Sequence, residues 1–452
     1  VGQLGLLLLG SDFIRRRWPI LALGGIVWAG LGVAIFIDAL DDVLYFPVHV
    51  FGYLLLVEAV VTLAVSSPRS GTPSALRKAR GIGFLILGLL IIDPHHAASV
   101  ILAMAFGVAF LVDGIFRICA AVVVRFRGWR LSLFTGLLEV AFAVFMFEPY
   151  PTFYDGTVPY CIGMGLFLSG CGLFRHAWRL KKLPDHAVLS WLLMRDVPIA
   201  DIGFVPGPSE EVVDDLVVYV WTPAGSVEDA VPHPVVNRYI AAVDAKGVIS
   251  TGHAALGCPP DIYVSHSPAV EIDRSTGDFT AMLRATAANN VAGKFQPSYA
   301  EESAGWCESN AEVRFDRYDR QRLAAFWARY RQDNTYNLTS RNCSSSVAHC
   351  LEAALEGSSA RRGFLHTMIN PELWVAAQLR KRAEAMAWTP GLVLDYARAL
   401  KAAIHPTPLG WYTLIASTKR FWRYAQMLHR HERVDGITDK AAGDTPRRRS
   451  VE

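Results

Sequence analysis

Residues 336–355 read YNLTSRNCSSSVAHCLEAAL, and this stretch decides how the C-terminal half is read. The polar run ends at Asn342 and a helical apolar pattern begins. Counting from Cys343, the residues Val347, Cys350, Leu351, Ala354 and Leu355 fall at i+4, i+7, i+8, i+11 and i+12, one face of an α-helix. Cys343 is thereby placed at a helix N-terminus, on the face that packs inward. Unpaired N–H groups and the helix dipole favour a thiolate there. The same amides can donate to an oxyanion. Cys350, further along the same face, reads as a core residue. His349 reads as a solvated histidine. Asn342 and Tyr336 can assist an oxyanion hole, but an N-cap and a turn residue are the preferred readings.

A thiolate needs a base, and the chain upstream supplies candidates. GVISTGHAALG (247–257) and DIYVSHSPAVEI (261–272) are strand-like runs joined by a turn at Pro259–Asp261. Period two puts Ile249, Thr251, His253 and Ala255 on one face. If the runs form a hairpin, His253 and His266 can be cross-strand neighbours on that face. One imidazole then activates the thiol and the other orients it. Tyr263, Ser265 or Asp261 can supply the third polar group instead. Cys258 and Cys307 have no partner and read as structural.

The order His-x-Ala-Leu, a short turn, Tyr-Val-x-His and a later Asn-Cys opening a helix resembles the circularly permuted papain-like group, over about residues 235–357. That group includes the NlpC-like peptidases and the lecithin:retinol acyltransferase family. The resemblance implies Cys343 as nucleophile, His253 as base and His266 as the residue orienting the base, with no cofactor and no metal. YNLTSRNCS is also similar to the cysteine motif of Lnb-type lipoprotein N-acyltransferases, whose catalytic domain is periplasmic. The segment 273–335, between the histidine strands and the cysteine helix, is not explained by these motifs.

Further strand patterns are VVYVWTP (217–223), RYIAAVDA (238–245) and AEVRFDR (311–317). AVLSWLLMRD (187–196) and DRQRLAAFWARYRQ (319–332) read as helices. This half is α+β, with a small antiparallel sheet and flanking helices.

Upstream the chain changes character. Mean hydropathy is +0.27, and only 19% of the 452 residues are charged. That is too apolar for an ordinary soluble protein. Six apolar segments, about 19–37, 46–65, 79–92, 97–118, 131–147 and 159–177, approach the roughly 20 residues that cross a bilayer as a helix. They form a repeat: Asp38, Asp93 and Glu148 lie 55 residues apart (93 − 38 and 148 − 93), each closing an odd-numbered segment. Three copies of a two-helix hairpin are expected. Arg15–Arg17, Arg69 to Arg80, Arg125 to Arg130 and Arg175 to Lys182 lie on one side, while the other loops carry Asp38, Asp41, Asp42, Asp93, Glu148 and Asp155 and no lysine or arginine. The positive-inside rule then places both termini and the soluble domain in the cytoplasm. The triple hairpin, with Gly-rich helices and acidic-Pro turns, resembles the HdeD-type acid-resistance membrane family over about residues 15–180. Glu58, Asp113 and Glu139 are ionisable groups inside spans. They fit a proton relay or a lipid-headgroup site, but interhelical hydrogen bonds, or Asp113 paired with Arg117, are preferred.

The opening VGQLGLLLLG lacks a basic n-region and a cleavage site, so it reads as a short interfacial or buried segment rather than a cleaved signal. Seven cysteines, an odd number with no CxxC pair, argue against a disulfide framework and a structural zinc site. A net charge of +3 without a basic stripe excludes nucleic acid as a partner.

The expected fold is therefore an all-α six-helix membrane bundle of three repeated two-helix hairpins, followed by an α+β permuted papain-like domain. Its parts are an N-terminal segment (1–18), the membrane domain (19–178), a linker and connecting helix (179–216), the thiol enzyme domain (217–385), a helical extension (386–433) and a disordered tail (434–452). The expected function is acyl transfer or hydrolysis through an acyl-Cys343 intermediate, on a lipid or lipidated substrate, in a bacterial inner membrane. A cysteine peptidase or amidase acting on a peptide is the second expectation. A non-enzymatic stress-response binding protein is the third.

Overall fold

The computed structural model describes residues 2–11, 17–40, 47–64, 72–93, 95–126, 128–151, 153–181, 188–190, 214–222, 242–243, 249–250, 252–270, 272, 283–360, 364–368 and 370–405. Most of the 187–196 run, most of the 238–245 strand, the extension beyond 405 and the tail lie outside these residues.

Each of the six apolar segments is helical: α2 (Trp18–Asp38), α3 (Val48–Ala64), α4 (Thr72–Ile92), α5 (His96–Val124), α6 (Trp129–Phe147) and α7 (Thr157–Lys181). Among the described residues, α2, α5, α6 and α7 are long and apolar enough to cross a membrane by length and composition. Their large side chains, Ile20, Val27, Val112 and Leu137 among them, point outward, as lipid-facing residues must.

The pairing of these helices differs from the expected hairpins. α3 packs closely on α4, α5 on α6, and α2 on α7. The tight pairs are thus joined by the basic loops and by the two ends of the bundle, not by the acidic turns. Glycines decide this. A Cβ at Gly32 would stand 2.6 Å from the Gly163 carbonyl oxygen, so α2 and α7 approach backbone to backbone. The ionisable groups are paired within the same helix pairs. Arg80 meets Glu58 at 2.6 Å, and Arg117 meets both Asp113 and Glu139 at 2.9 Å. At one end of the bundle Lys181 lies over the Trp18 ring (4.9 Å) and Arg130 over Trp129 (5.6 Å), the aromatic and basic pattern of a membrane–water interface.

The C-terminal region is built from small antiparallel sheets and helices. Its main sheet has the order β5–β4–β1–β8, with β1 (Leu216–Trp221) and β4 (His253–Cys258) central, β5 (Ile262–Val264) and β8 (Ala311–Phe315) at the edges. Two short strands, β2 (Ala242–Val243) and β3 (Ile249–Ser250), pair with each other. A second sheet has the order β6–β7–β9, from β6 (His266–Pro268), β7 (Val291–Phe295) and β9 (Thr335–Tyr336). Leu216, Val218 and Val220 of β1 and Ala254 and Leu256 of β4 are fully buried. Their face of the sheet packs on α10 (Cys343–Leu355) and α13 (Pro390–Ile404). The short helix α8 (Tyr299–Gly305) covers the other face, where Tyr299 stacks on Tyr219 at 4.1 Å. The helices α9 (Arg320–Tyr330), α11 (Phe364–Met368) and α12 (Pro371–Ala385) complete the layer around α10.

The first helix belongs to this region as well. α1 (Gly2–Leu9) buries Leu4, Leu6, Leu7, Leu8 and Leu9 against α10, α11 and α12. Its Leu7 and Leu8 carbonyls accept from Gly357 N (3.1 Å) and Ser359 N (2.8 Å). The opening apolar segment is therefore core of the C-terminal half, and the apolar helices α2 to α7 lie between its first helix and the rest of it in the chain. Glu356, at the end of α10, ties both connections down. It accepts from Ser11 N (3.2 Å), Leu189 N (2.7 Å) and Arg322 Nη1 (2.8 Å).

Candidate functional site

Cys343 is the first residue of α10, and a capping box holds it there. The Asn342 side chain accepts from Ser345 N (2.8 Å), while Asn342 N donates to Ser345 Oγ (2.8 Å). Asn342 also donates to the carbonyls of Leu338 (2.7 Å) and Trp388 (2.9 Å), which fixes the loop before the helix. Asn342 is thus an N-cap. Ahead of it, Asn337 and Arg341 close a tight turn through reciprocal backbone bonds of 3.0 and 3.1 Å.

His253 opens β4 opposite Trp221 of β1. Its imidazole stands near enough to the Cys343 thiol for each group to shift the other's titration, and the Ala254 amide acts on the same sulfur. His253 Nε2 lies 3.1 Å from Glu302 Oε1 and 2.9 Å from Ser265 Oγ. Glu302 projects from α8 and accepts from Ser265 Oγ (2.9 Å) and Tyr263 OH (2.5 Å). Its side chain is only 8% exposed. Cys343, His253 and Glu302 therefore form one chain of polar contacts, from the end of a helix across a strand to a short helix on the far face.

The charges follow from this geometry. Burial alone would push the thiol up, but the His253 charge and hydrogen bond, with Ser344 and the Ala254 amide, hold it below its ordinary value. Burial alone would push His253 down. The Cys343 charge and hydrogen bond, then Glu302, overcome that and raise it to about 10. Burial opposes ionisation of Glu302 too, but His253, Tyr263 and Ser265 outweigh it, so its carboxyl titrates low. Each shift favours the charged form of its group: thiolate at Cys343, imidazolium at His253 and carboxylate at Glu302.

His266 stands elsewhere. The 261–272 run breaks at Ser265: β5 pairs with β4, whereas β6 leaves that sheet and pairs with β7, His266 opposite Phe295. It is not a cross-strand neighbour of His253. His266 is fully buried, between the rings of Phe295, Tyr330 and Tyr336. Its Nδ1 lies 3.3 Å from Ser346 Oγ, one turn into α10. Burial first, then Arg341, lower it to about 4, so it is neutral.

Two neighbouring residues also differ from expectation. His349 is not solvated. It is 6% exposed, on a helix enclosed on all sides, and sits 3.9 Å from Glu352. That carboxylate is itself held by Arg380 (2.7 Å) and Tyr396 (2.8 Å). Tyr336 is a strand residue paired with Val291, not a turn. Cys350 is fully buried core, its thiol raised by burial. Cys258 contacts Tyr318 OH (3.3 Å), and Cys307 is exposed beside Trp306.

Glu302 was beyond the reach of sequence patterns. It lies in the 273–335 segment, and its local signal is only that of an acid in the first turn of a short helix capped by Ser298. Tyr263 and Ser265, considered as third polar groups, instead hold that acid in place.

Residues 79–148 match the family described as a short repeat of unknown function, DUF308, the repeat of the HdeD-type membrane proteins. No curated protein and no solved structure matches the chain. The matched stretch runs from α4 to the end of α6, so the helical N-terminal half is similar to the HdeD-type membrane family where that repeat lies.

Proposed function

We propose that the chain is a six-span protein of a bacterial inner membrane whose cytoplasmic domain is a thiol enzyme transferring or hydrolysing acyl groups through acyl-Cys343. The observation that carries this is the Cys343–His253–Glu302 chain. A buried thiol is ordinarily inert. This one is buried beside an imidazole that is itself backed by a carboxylate, an arrangement that the packing of a core does not require. The likeness of the motifs to permuted papain-like enzymes supports the same reading.

In the proposed reaction the Cys343 sulfur attacks the acyl carbonyl, forming a C–S bond. In this reading an amide of the first turn of α10 receives the oxyanion. As the C–O or C–N bond to the leaving group breaks, the His253 imidazolium gives that group its proton. Neutral His253 then takes a proton from the acceptor, water or an alcohol or amine, whose attack on the thioester carbonyl breaks the C–S bond and releases the thiolate, restoring the starting pair. Glu302 holds the ring and stabilises its charge. A membrane tether confines the enzyme near lipids, which argues for a lipid or lipidated acyl donor.

The test is intact-mass analysis of the purified chain after incubation with membrane lipids. A fatty-acyl increment on Cys343, absent in Cys343→Ala, supports the proposal. A peptidyl adduct would favour the peptidase reading. The same increment on both proteins would remove Cys343 from the chemistry.

A further inference from the structure

The segment between the membrane bundle and the Cys343 loop carries a surface of its own. Ala285 N donates to the Val124 carbonyl at the C-terminal end of α5 (2.7 Å). A single 3-10 turn, Ala287–Asn289, follows, and β7 then begins at Val291. Six residues of chain reach about 20 Å at most, and the turn shortens this, so Val291 lies within about 20 Å of the end of α5. Ala269 N donates to Ala292 O (2.8 Å), which brings Val270 alongside Val291. Ala269, Val270, Ala287, Ala288, Val291 and Ala292 are all exposed. Val270 is 78% and Val291 38% exposed. Arg284 and Lys294, also exposed, bracket this stretch of chain. On the bundle side, Arg125 and the Trp129–Arg130 pair mark the membrane–water interface.

We propose that this apolar surface, from Val270 to Val291, rests on the lipid headgroup layer of the membrane that the bundle spans. An apolar patch with basic residues beside it suits an anionic bilayer surface. The chain just ahead of it, at Ala285, is hydrogen-bonded to the end of α5, so the lipid is the neighbour that the chain itself brings up to it. A consequence follows for the site. Asn337 Nδ2 donates to Thr286 O (3.4 Å) and to Asn290 Oδ1 (3.0 Å), and Thr339 Oγ1 donates to Leu283 O (2.9 Å). The docked segment is thus the layer between the bundle and the loop that leads into Cys343. The surface itself does not rest on the proposed activity; only its value for lipid substrates does.

The test places benzoylphenylalanine at position 270, or at 291, in the full chain held in nanodiscs of phosphatidylcholine and phosphatidylglycerol. Irradiation is expected to attach phospholipid at both positions, read as a mass increment of one lipid. Combining Arg284→Glu with Lys294→Glu is expected to lower that yield about tenfold. Adducts joining two copies of the chain, or no adduct above the unirradiated sample, overturn the proposal. Both positions are exposed, so Cys343 labelling by a small thiol probe is expected to be unchanged. That readout separates failure of docking from failure of the thiol chemistry.

Discussion

Glu302 makes the sharpest demand at the residue scale. After Cys343, it is the negative group that favours the charged form of His253, with both side chains buried. In Glu302→Gln that support is lost, so His253 titrates lower and the Cys343 thiol higher. The acidic limb of the turnover–pH profile should move up and the basic limb down, with a rate loss on the order of 100-fold. An unchanged profile would reduce Glu302 to packing. His266 gives the opposite expectation. It touches Ser346 and three aromatic rings, not His253. His266→Gln should cost about 1–3 kcal/mol in thermal or denaturant unfolding, yet leave the pH profile of Cys343 labelling in place. The cysteine and the first histidine were legible in the sequence because each is announced locally, one by a cap and a helical period, the other by an alternating strand. Glu302 was not, because it meets Ser265 across 37 residues of chain, through a fold that no local pattern records. His266 was misplaced for a related reason: Ser265 ends one sheet and His266 starts another, and strand periodicity does not show where a strand changes partner.

Elements repeat the lesson. Apolar runs located the helices of the membrane half, but glycines lie on more than one face of them, so helix pairing was not readable from the 55-residue repeat. α1 was readable as apolar and short, not as core of a domain that begins more than two hundred residues later. Leu7→Ala in this helix should destabilise the soluble half by about 2–5 kcal/mol, seen as earlier loss of Cys343 labelling on heating. An unshifted midpoint would mean that α1 is dispensable. Glu356 adds a pH signature to the same junction. Burial raises it from 4.5 to about 7, in spite of Arg322 and the amides of Leu189 and Ser11. A folded value above the unfolded one means that the folded state binds the proton more tightly. Its stability contribution is complete below about pH 4.5 and is lost as pH rises through about 7. Glu356→Gln should remove that component from the plot of unfolding midpoint against pH. If the variant and the parent fall in parallel across this range, Glu356 is not its source.

Across the whole molecule, both α12 and α13 pack the C-terminal half against the bundle. α12 packs on α4 and α5, with Trp374 under the Arg80 guanidinium at 4.8 Å and Lys381 at 3.5 Å from Asp113. Lys381 and Asp113 are each about half exposed, so their ion pair should contribute less than about 1 kcal/mol. Lys381→Ala is therefore expected to leave the unfolding midpoint nearly unchanged, and a large drop would show that this contact holds the halves together. The bundle interrupts the domain rather than merely anchoring it. The domain's first helix and its catalytic candidate are threaded on opposite sides of the membrane insertion and rejoin at Glu356.

The most direct measurement of the central claim is the rate at which an electrophilic thiol probe labels Cys343 as a function of pH, in the full chain and in His253→Ala. A thiolate–imidazolium pair predicts rapid labelling well below the ordinary thiol range, and in the variant a shift of that labelling to alkaline pH. Labelling that rises only near the ordinary thiol value in the parent, and is the same in the variant, would contradict the account.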